Sequence, residues 1–123
     1  MSFNLLLYVK YQGETKTIIQ FPLGRSVITS YTIGEKVTTI KEFAFENAQY
    51  MTSVTIGKDV TTIETYAFKE CYKLNQFSVA EGNTEYTVEN QGALIENTNK
   101  LIQYPYANKE ISTYQIPEEI TSI

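Results

Sequence analysis

Apolar residues recur along this chain at one spacing. Ile28, Tyr31 and Ile33 stand at positions one, four and six of a short segment, as do Met51, Val54 and Ile56, Leu74, Phe77 and Val79, and Ile111, Tyr114 and Ile116. Within each segment the last two apolar residues alternate with polar ones, the pattern of a strand with one side in a core and the other open. Four rungs of one parallel sheet are predicted, each about 4.8 Å from the next. The repetition extends past the rungs. Displacing residues 33–79 by 23 positions lays Ile33-Gly34 on Ile56-Gly57, Val37-Thr38-Thr39-Ile40 on Val60-Thr61-Thr62-Ile63, and Ala44-Phe45 on Ala67-Phe68 without a gap. Each repeat is too small to bury its own apolar side, so the period predicts a solenoid of stacked units. After each rung the pattern reads as a turn, a second short strand (Val-Thr-Thr-Ile), and a helical or 3₁₀ turn across the convex side. Phe45 and Phe68 should be the large core residues.

The flanks of this array carry hairpins. Residues 5–9 and 17–21 are two β-prone runs separated by the polar stretch 10–16, and Pro22 and Gly24 then break the pattern. A second hairpin is predicted from residues 93–96 and 100–103, turned at Asn97-Thr98-Asn99. Residues 18–40 match residues 101–123 at a constant offset of 83, with Pro22 on Pro105, Tyr31 on Tyr114 and Ile40 on Ile123. One domain follows, made of a hairpin unit (1–27), the tandem repeats (28–82), and a second hairpin with an incomplete last repeat (83–123). Ile40 is followed by Lys41-Glu42-Phe43-Ala44-Phe45, whereas nothing follows Ile123, so the sequence reads as a fragment of a longer array. An unfinished repeat also leaves a sheet edge able to pair with another chain, so self-association through the C-terminal end is expected if the end is natural.

The units Val37-Thr38-Thr39-Ile40-x-x-x-Ala44-Phe45 and Val60-Thr61-Thr62-Ile63-x-x-x-Ala67-Phe68, each followed by an L-x-x-L-x-L rung, resemble the BspA-like leucine-rich repeat family. The block from Gly92-Ala93-Leu94-Ile95 through Leu101-Ile102-Gln103-Tyr104-Pro105 to Tyr114-Gln115-Ile116-Pro117 resembles a spacer that recurs in that family. The resemblance implies a β-rich, right-handed leucine-rich-repeat solenoid with hairpin inserts. It also implies a non-enzymatic surface or extracellular protein that binds protein or glycan partners or mediates adhesion. Two features depart from the family. The ninth position, Asn or Cys in the general repeat, is Lys36, Asp59, Gly82 and Glu119, so no asparagine ladder is expected there. Lys41 and Glu64 stand where glycine is common, which predicts a differently shaped turn.

Composition narrows the chemistry. The chain has 123 residues, a net charge of −4 and no histidine, which removes histidine-based triads and most transition-metal sites. Asp59 is the only aspartate and the glutamates are scattered, so neither a metal nor a cofactor is expected. Glu118-Glu119 is an adjacent carboxylate pair, but it aligns with Glu35-Lys36 at a turn, and a solvated turn is the plainer reading. No phosphate-binding glycine loop and no basic cluster is present, so nucleic acid is an unexpected partner. No apolar run is long enough to insert as a membrane helix. Cys71 stands alone and aligns with Ala48, the place of a small buried filler. The apolar run at residues 5–8 has no basic segment before it and no small-residue cleavage site after it. No secretion signal is read, and a cytoplasmic address stays open beside the surface address that the resemblance implies.

What remains is a surface. Stacking the rungs places their outward positions in two columns, Ser30, Ser53, Gln76 and Thr113 beside Thr32, Thr55, Ser78 and Gln115. All eight are polar and uncharged, so a partner can hydrogen-bond to them with little desolvation of charge. A plain solvated sheet uses similar columns. The expected function is an interaction or adhesion module; the alternative is a structural spacer or self-assembling repeat that associates through uncapped ends.

Overall fold

The rung segments pair in the register that the 23-residue period requires. In the computed structural model, which describes residues 8–12, 15–21, 28–89, 92–97, 99–105, 116 and 118–123, β3 (Ser30–Thr32), β5 (Ser53–Ile56) and β7 (Gln76–Val79) form a parallel sheet in that order. Ser30 lies opposite Ser53 and Ser53 opposite Gln76, while Tyr31, Val54 and Phe77 form the adjoining inward row. The fourth predicted rung falls on residues 111–116, which apart from Ile116 lie outside the described residues.

The Val-Thr-Thr-Ile segments build a second parallel array. β4 (Val37–Ile40) pairs with β6 (Thr62–Ile63) on one side and with β2 (Thr15–Gln20) on the other, and β2 pairs antiparallel with β1 (Tyr8–Gln12). The order is β1-β2-β4-β6, so β6 is an edge. The first hairpin is tighter than its sequence suggests, because Tyr11 pairs with Lys16 and Gln12 with Thr15, inside the stretch expected to be loop. An edge strand such as β1 tolerates polar residues, so polarity by itself does not mark a loop. The second hairpin has the expected bounds, β9 (Ala93–Glu96) and β10 (Lys100–Gln103). Asn99 closes its loop at φ 64°, the left-handed last position of a three-residue connection. An additional strand, β8 (Tyr86–Glu89), pairs antiparallel with β9.

The segments expected to be helical or 3₁₀ are linked tight turns, and among the described residues there is no helix. Lys41 C=O accepts from Ala44 N–H (3.0 Å), Phe43 C=O from Glu46 N–H (3.0 Å) and Phe45 C=O from Ala48 N–H (3.2 Å). Phe43 and Asn47 lie at φ 61° and 57°, and Tyr66 and Glu70 at 60° each in the next repeat. A left-handed residue every fourth position stops a helix from propagating. It also turns main-chain groups toward the neighbouring repeat. Phe21 N–H donates to Ala44 C=O and Phe45 N–H to Ala67 C=O, both at 2.7 Å; Lys41 N–H donates to Ile18 C=O and Glu64 N–H to Ile40 C=O, both at 2.9 Å. A helix would use these groups internally, so the repeats could not be laced together at this side.

The core lies between the two parallel sheets and the turns. Phe21, Phe45 and Phe68 form a row of near-parallel rings with centroids 5.1 and 5.2 Å apart, and Phe45 and Phe68 are buried in equivalent surroundings one repeat apart. Cys71 and Ala48 are both buried, as the alignment predicts. Ala93, Ile95 and Leu101 make a smaller cluster beneath the second hairpin. At Gly57 the neighbouring repeat comes close enough that an added Cβ would stand 2.5 Å from Ile33 O, whereas at the equivalent Gly34 nothing lies within 4 Å. Gly57→Ala is therefore expected to lower stability by about 1–3 kcal/mol. Gly34→Ala should be neutral or stabilising by up to about 1 kcal/mol. Urea melts of the two variants check this, and equal effects would contradict the packing.

Candidate interaction surface

The sheet face assembles as its sequence pattern predicts. Ser30, Ser53 and Gln76 form one outward column and Thr32, Thr55 and Ser78 the other. These six are exposed or half-buried. Thr113 and Gln115 lie outside the described residues. Ser53 Oγ donates to Ser30 Oγ at 2.9 Å, so hydroxyls within a column partly satisfy one another. Beside them Thr52 Oγ1 donates to Thr29 C=O at 2.8 Å. This holds the hydroxyls at fixed spacing and leaves lone pairs toward solvent.

The turn side has a character that the sequence reading does not assign. Phe43 stacks on Tyr66 with centroids 5.8 Å apart, and Lys69 Nζ lies 5.8 and 5.5 Å from the two rings. Lys73 Nζ stands 5.4 Å from the Tyr50 ring. Tyr66 is 59% exposed and Tyr72 63%, so aromatic surface faces water here. The signal was in the same alignment, since 43 and 66, and 50 and 73, are equivalent positions. Around these rings Lys41 Nζ pairs with Glu64 Oε2 at 3.2 Å, and Glu64 Oε1 accepts Glu42 N–H.

Two side chains do the work expected of an asparagine ladder. Asp59 Oδ2 accepts Lys36 N–H from the previous repeat at 2.9 Å; this bond, and then Lys58, hold its carboxyl below the usual carboxylate range. Asn83 Nδ2 donates to Gly57 C=O (2.8 Å) and Val60 C=O (3.0 Å), while its Oδ1 accepts from Glu85 and Tyr86 N–H. Asn83 occupies the place of Val37 and Val60, one position past the expected ladder site. Where the third repeat abandons the Ala-Phe turn, a cleft of about 340 Å³ opens between Ile63, Tyr66 and Phe68 and, opposite, Leu101, Gln103 and Ile123.

Among the described residues no three His, Cys, Asp or Glu side chains gather as a metal site. Cys71 donates from Sγ to Phe45 C=O, and burial pushes its thiol up to about 11, which leaves it protonated and unreactive. Among the described residues no helix is long and apolar enough to cross a membrane.

No curated protein matches this chain. Among solved structures, the pneumococcal vaccine antigen PcpA superposes with a TM-score of 0.56 at 20% identity, over 75% of this chain and 29% of its own. A leucine-rich repeat protein from Eubacterium ventriosum gives 0.46 at 17% identity over 87% and 50% of the two chains. A leucine-rich cell surface protein from Faecalibacterium prausnitzii gives 0.43 at 24% identity over 63% and 27%. The chain thus spans half or less of the length of these proteins. The superposition on the pneumococcal antigen agrees in fold with the stacked parallel strands described above. The sequence model of the BspA type leucine-rich repeat region matches residues 16–123 in six copies, and with the 23-residue register and its parallel pairing this places the chain in the BspA-type leucine-rich repeat family.

Proposed function

We propose that the chain is a non-enzymatic protein-interaction module, part of a longer surface protein whose repeats wind as a right-handed solenoid, and that its polar sheet face receives the partner. The observation that carries this reading is the six-residue array of Ser30, Ser53, Gln76, Thr32, Thr55 and Ser78, held in strict register on a continuous parallel sheet. An uncharged, hydrogen-bonding face fixed by its own backbone loses little entropy and little charge solvation when a partner covers it. Family membership supports an interaction role, and the resemblance in fold to a vaccine antigen is in keeping with a surface address.

The test uses a panel of immobilised extracellular-matrix proteins and glycans, read by surface plasmon resonance. A variant with Ser53, Thr55, Gln76 and Ser78 all changed to Lys should bind the responding partner at least tenfold more weakly, because four ammoniums must be desolvated. Its thermal midpoint should move little. Unchanged affinity in a folded variant rejects this face.

A further inference from the structure

The contact between neighbouring repeats follows one rule twice. The residue after each Val-Thr-Thr-Ile strand donates back, Lys41 N–H to Ile18 C=O and Glu64 N–H to Ile40 C=O, both at 2.9 Å. The core phenylalanine donates forward, Phe21 N–H to Ala44 C=O and Phe45 N–H to Ala67 C=O, both at 2.7 Å. Further out the aromatic before each alanine stacks on its equivalent, Phe43 on Tyr66 at 5.8 Å.

Among the described residues the rule is not applied a third time. β8 leaves to pair with β9, and the sequence has Asn90-Gln91 where the earlier repeats have Ala44-Phe45 and Ala67-Phe68. The next groups in the series are Ile63 C=O and Phe68 N–H, and among the described residues neither has a hydrogen-bond partner. Ile63 N–H, by contrast, is taken by the Tyr86 hydroxyl. Both orphaned groups belong to residues that wall the 340 Å³ cleft, and so does Tyr66. Tyr66 is exposed and held at φ 60°, a conformation costly for an aromatic residue. The cleft therefore presents the half-contact that each earlier repeat offers to the turn of the next.

We propose that this cleft is a docking site for one turn segment of another chain bearing the repeat's own sequence chemistry, an aromatic residue followed by alanine and phenylalanine. The incoming segment's N–H donates to Ile63 C=O, its alanine C=O accepts Phe68 N–H, and its first aromatic ring lies on Tyr66. The occupant is set by continuity with the repeat-to-repeat interface already in the molecule. Acceptor, donor and ring on the open side are the equivalents of those that Ile40, Phe45 and Phe43 use inside it. At the equivalent place inside the molecule Ala44 and Ala67 are buried between neighbouring repeats, so a small residue is expected there in the incoming segment. The mode is the addition of backbone to an open edge, as in strand addition by extended peptides. It uses a different surface from the polar sheet face and stands apart from the function proposed for that face.

The probe is a fluorescein-labelled, acetylated peptide with the sequence of residues 40–48, titrated into the full chain and read by anisotropy. Saturable binding is expected, with slowed hydrogen exchange at the Phe68 amide. The peptide N-methylated at its Lys41 position should bind about tenfold more weakly, the size expected for one main-chain hydrogen bond. A peptide carrying Ala44→Val should lose a similar factor. Tyr66→Gly, which relieves the left-handed residue and leaves the protein folded, should also weaken binding. Lysine substitutions on the sheet face should leave peptide affinity unchanged. Absence of saturable binding, equal affinity of the N-methylated or a scrambled peptide, or exchange protection on the sheet face in place of Phe68 would each overturn the proposal.

Discussion

Replacing Phe45 by alanine is expected to lower the unfolding free energy by about 3–5 kcal/mol, the range for deleting a fully buried aromatic ring. Phe45 sits at the middle of the ring row, with centroids of Phe21 at 5.1 Å, Phe68 at 5.2 Å and Tyr31 at 6.1 Å. It is wholly excluded from water. Its neighbours come from three successive layers, each fixed by main-chain bonds to the next, so the walls of the resulting cavity have little freedom to collapse. Phe68→Ala belongs in the same range, since Phe68 packs between Phe45 and the edge-on ring of Phe77. Tyr72→Ala, at a residue 63% exposed, should stay within about 0.5 kcal/mol. Urea denaturation of the three variants at constant m-value provides the check. A loss below about 1 kcal/mol at Phe45 would mean that the repeats do not share a continuous core.

The parts of this fold that were legible in the sequence are those in which contacts occur at a constant chain separation. Stacked repeats convert a period of 23 residues into neighbours in space. Ser53 to Ser30, Thr52 to Thr29 and Lys41 to Glu64 are all hydrogen-bonded at that separation. Strand register, the phenylalanine row and the two polar columns of the sheet face follow from the same arithmetic. The shape of the crossing segments does not. Residues 41–48 are rich in good helix formers, and a left-handed turn position is normally betrayed by glycine, whereas here it falls on Phe43 and Tyr66. Main-chain bonding to the adjacent repeat decides the conformation, a tertiary effect with no local sequence mark. The cleft is hidden for a related reason. It exists because β8 departs from the repeat path, and that departure depends on Asn83 and Tyr86 finding partners in the previous repeat.

Tyr86 is the side chain on which the end of the regular array depends, and its loss should rank with that of a core phenylalanine. It is 1% exposed, and its hydroxyl accepts Ile63 N–H at 2.8 Å while lying 3.4 Å from Glu96 Oε1. Position 86 is one period beyond Ile63, so a side-chain oxygen here takes the bond that a further strand would otherwise take on the edge of β6. Tyr86→Ala removes ring and hydroxyl and should cost about 3–5 kcal/mol. Tyr86→Phe keeps the ring but leaves the Ile63 amide buried without an acceptor, for an expected loss of about 1–3 kcal/mol. The hydroxyl can also be followed by pH. Burial, reinforced by Glu96 and opposed by the Ile63 bond, pushes it up to about 12, against an ordinary value near 10. Below about pH 10 the hydroxyl is protonated in both folded and unfolded chains and stability is independent of its titration. Between about pH 10 and 12 the unfolded chain has released the proton while the folded chain still holds it, so stability falls as pH rises. With allowance for screening at the hydroxyl, that fall should amount to about 2 kcal/mol. Tyr86→Phe should show a shallower decline over the same window, because the phenylalanine has no proton to lose. Wild-type and variant curves that run parallel from pH 9 to 12 would show that the hydroxyl does not close the edge of β6.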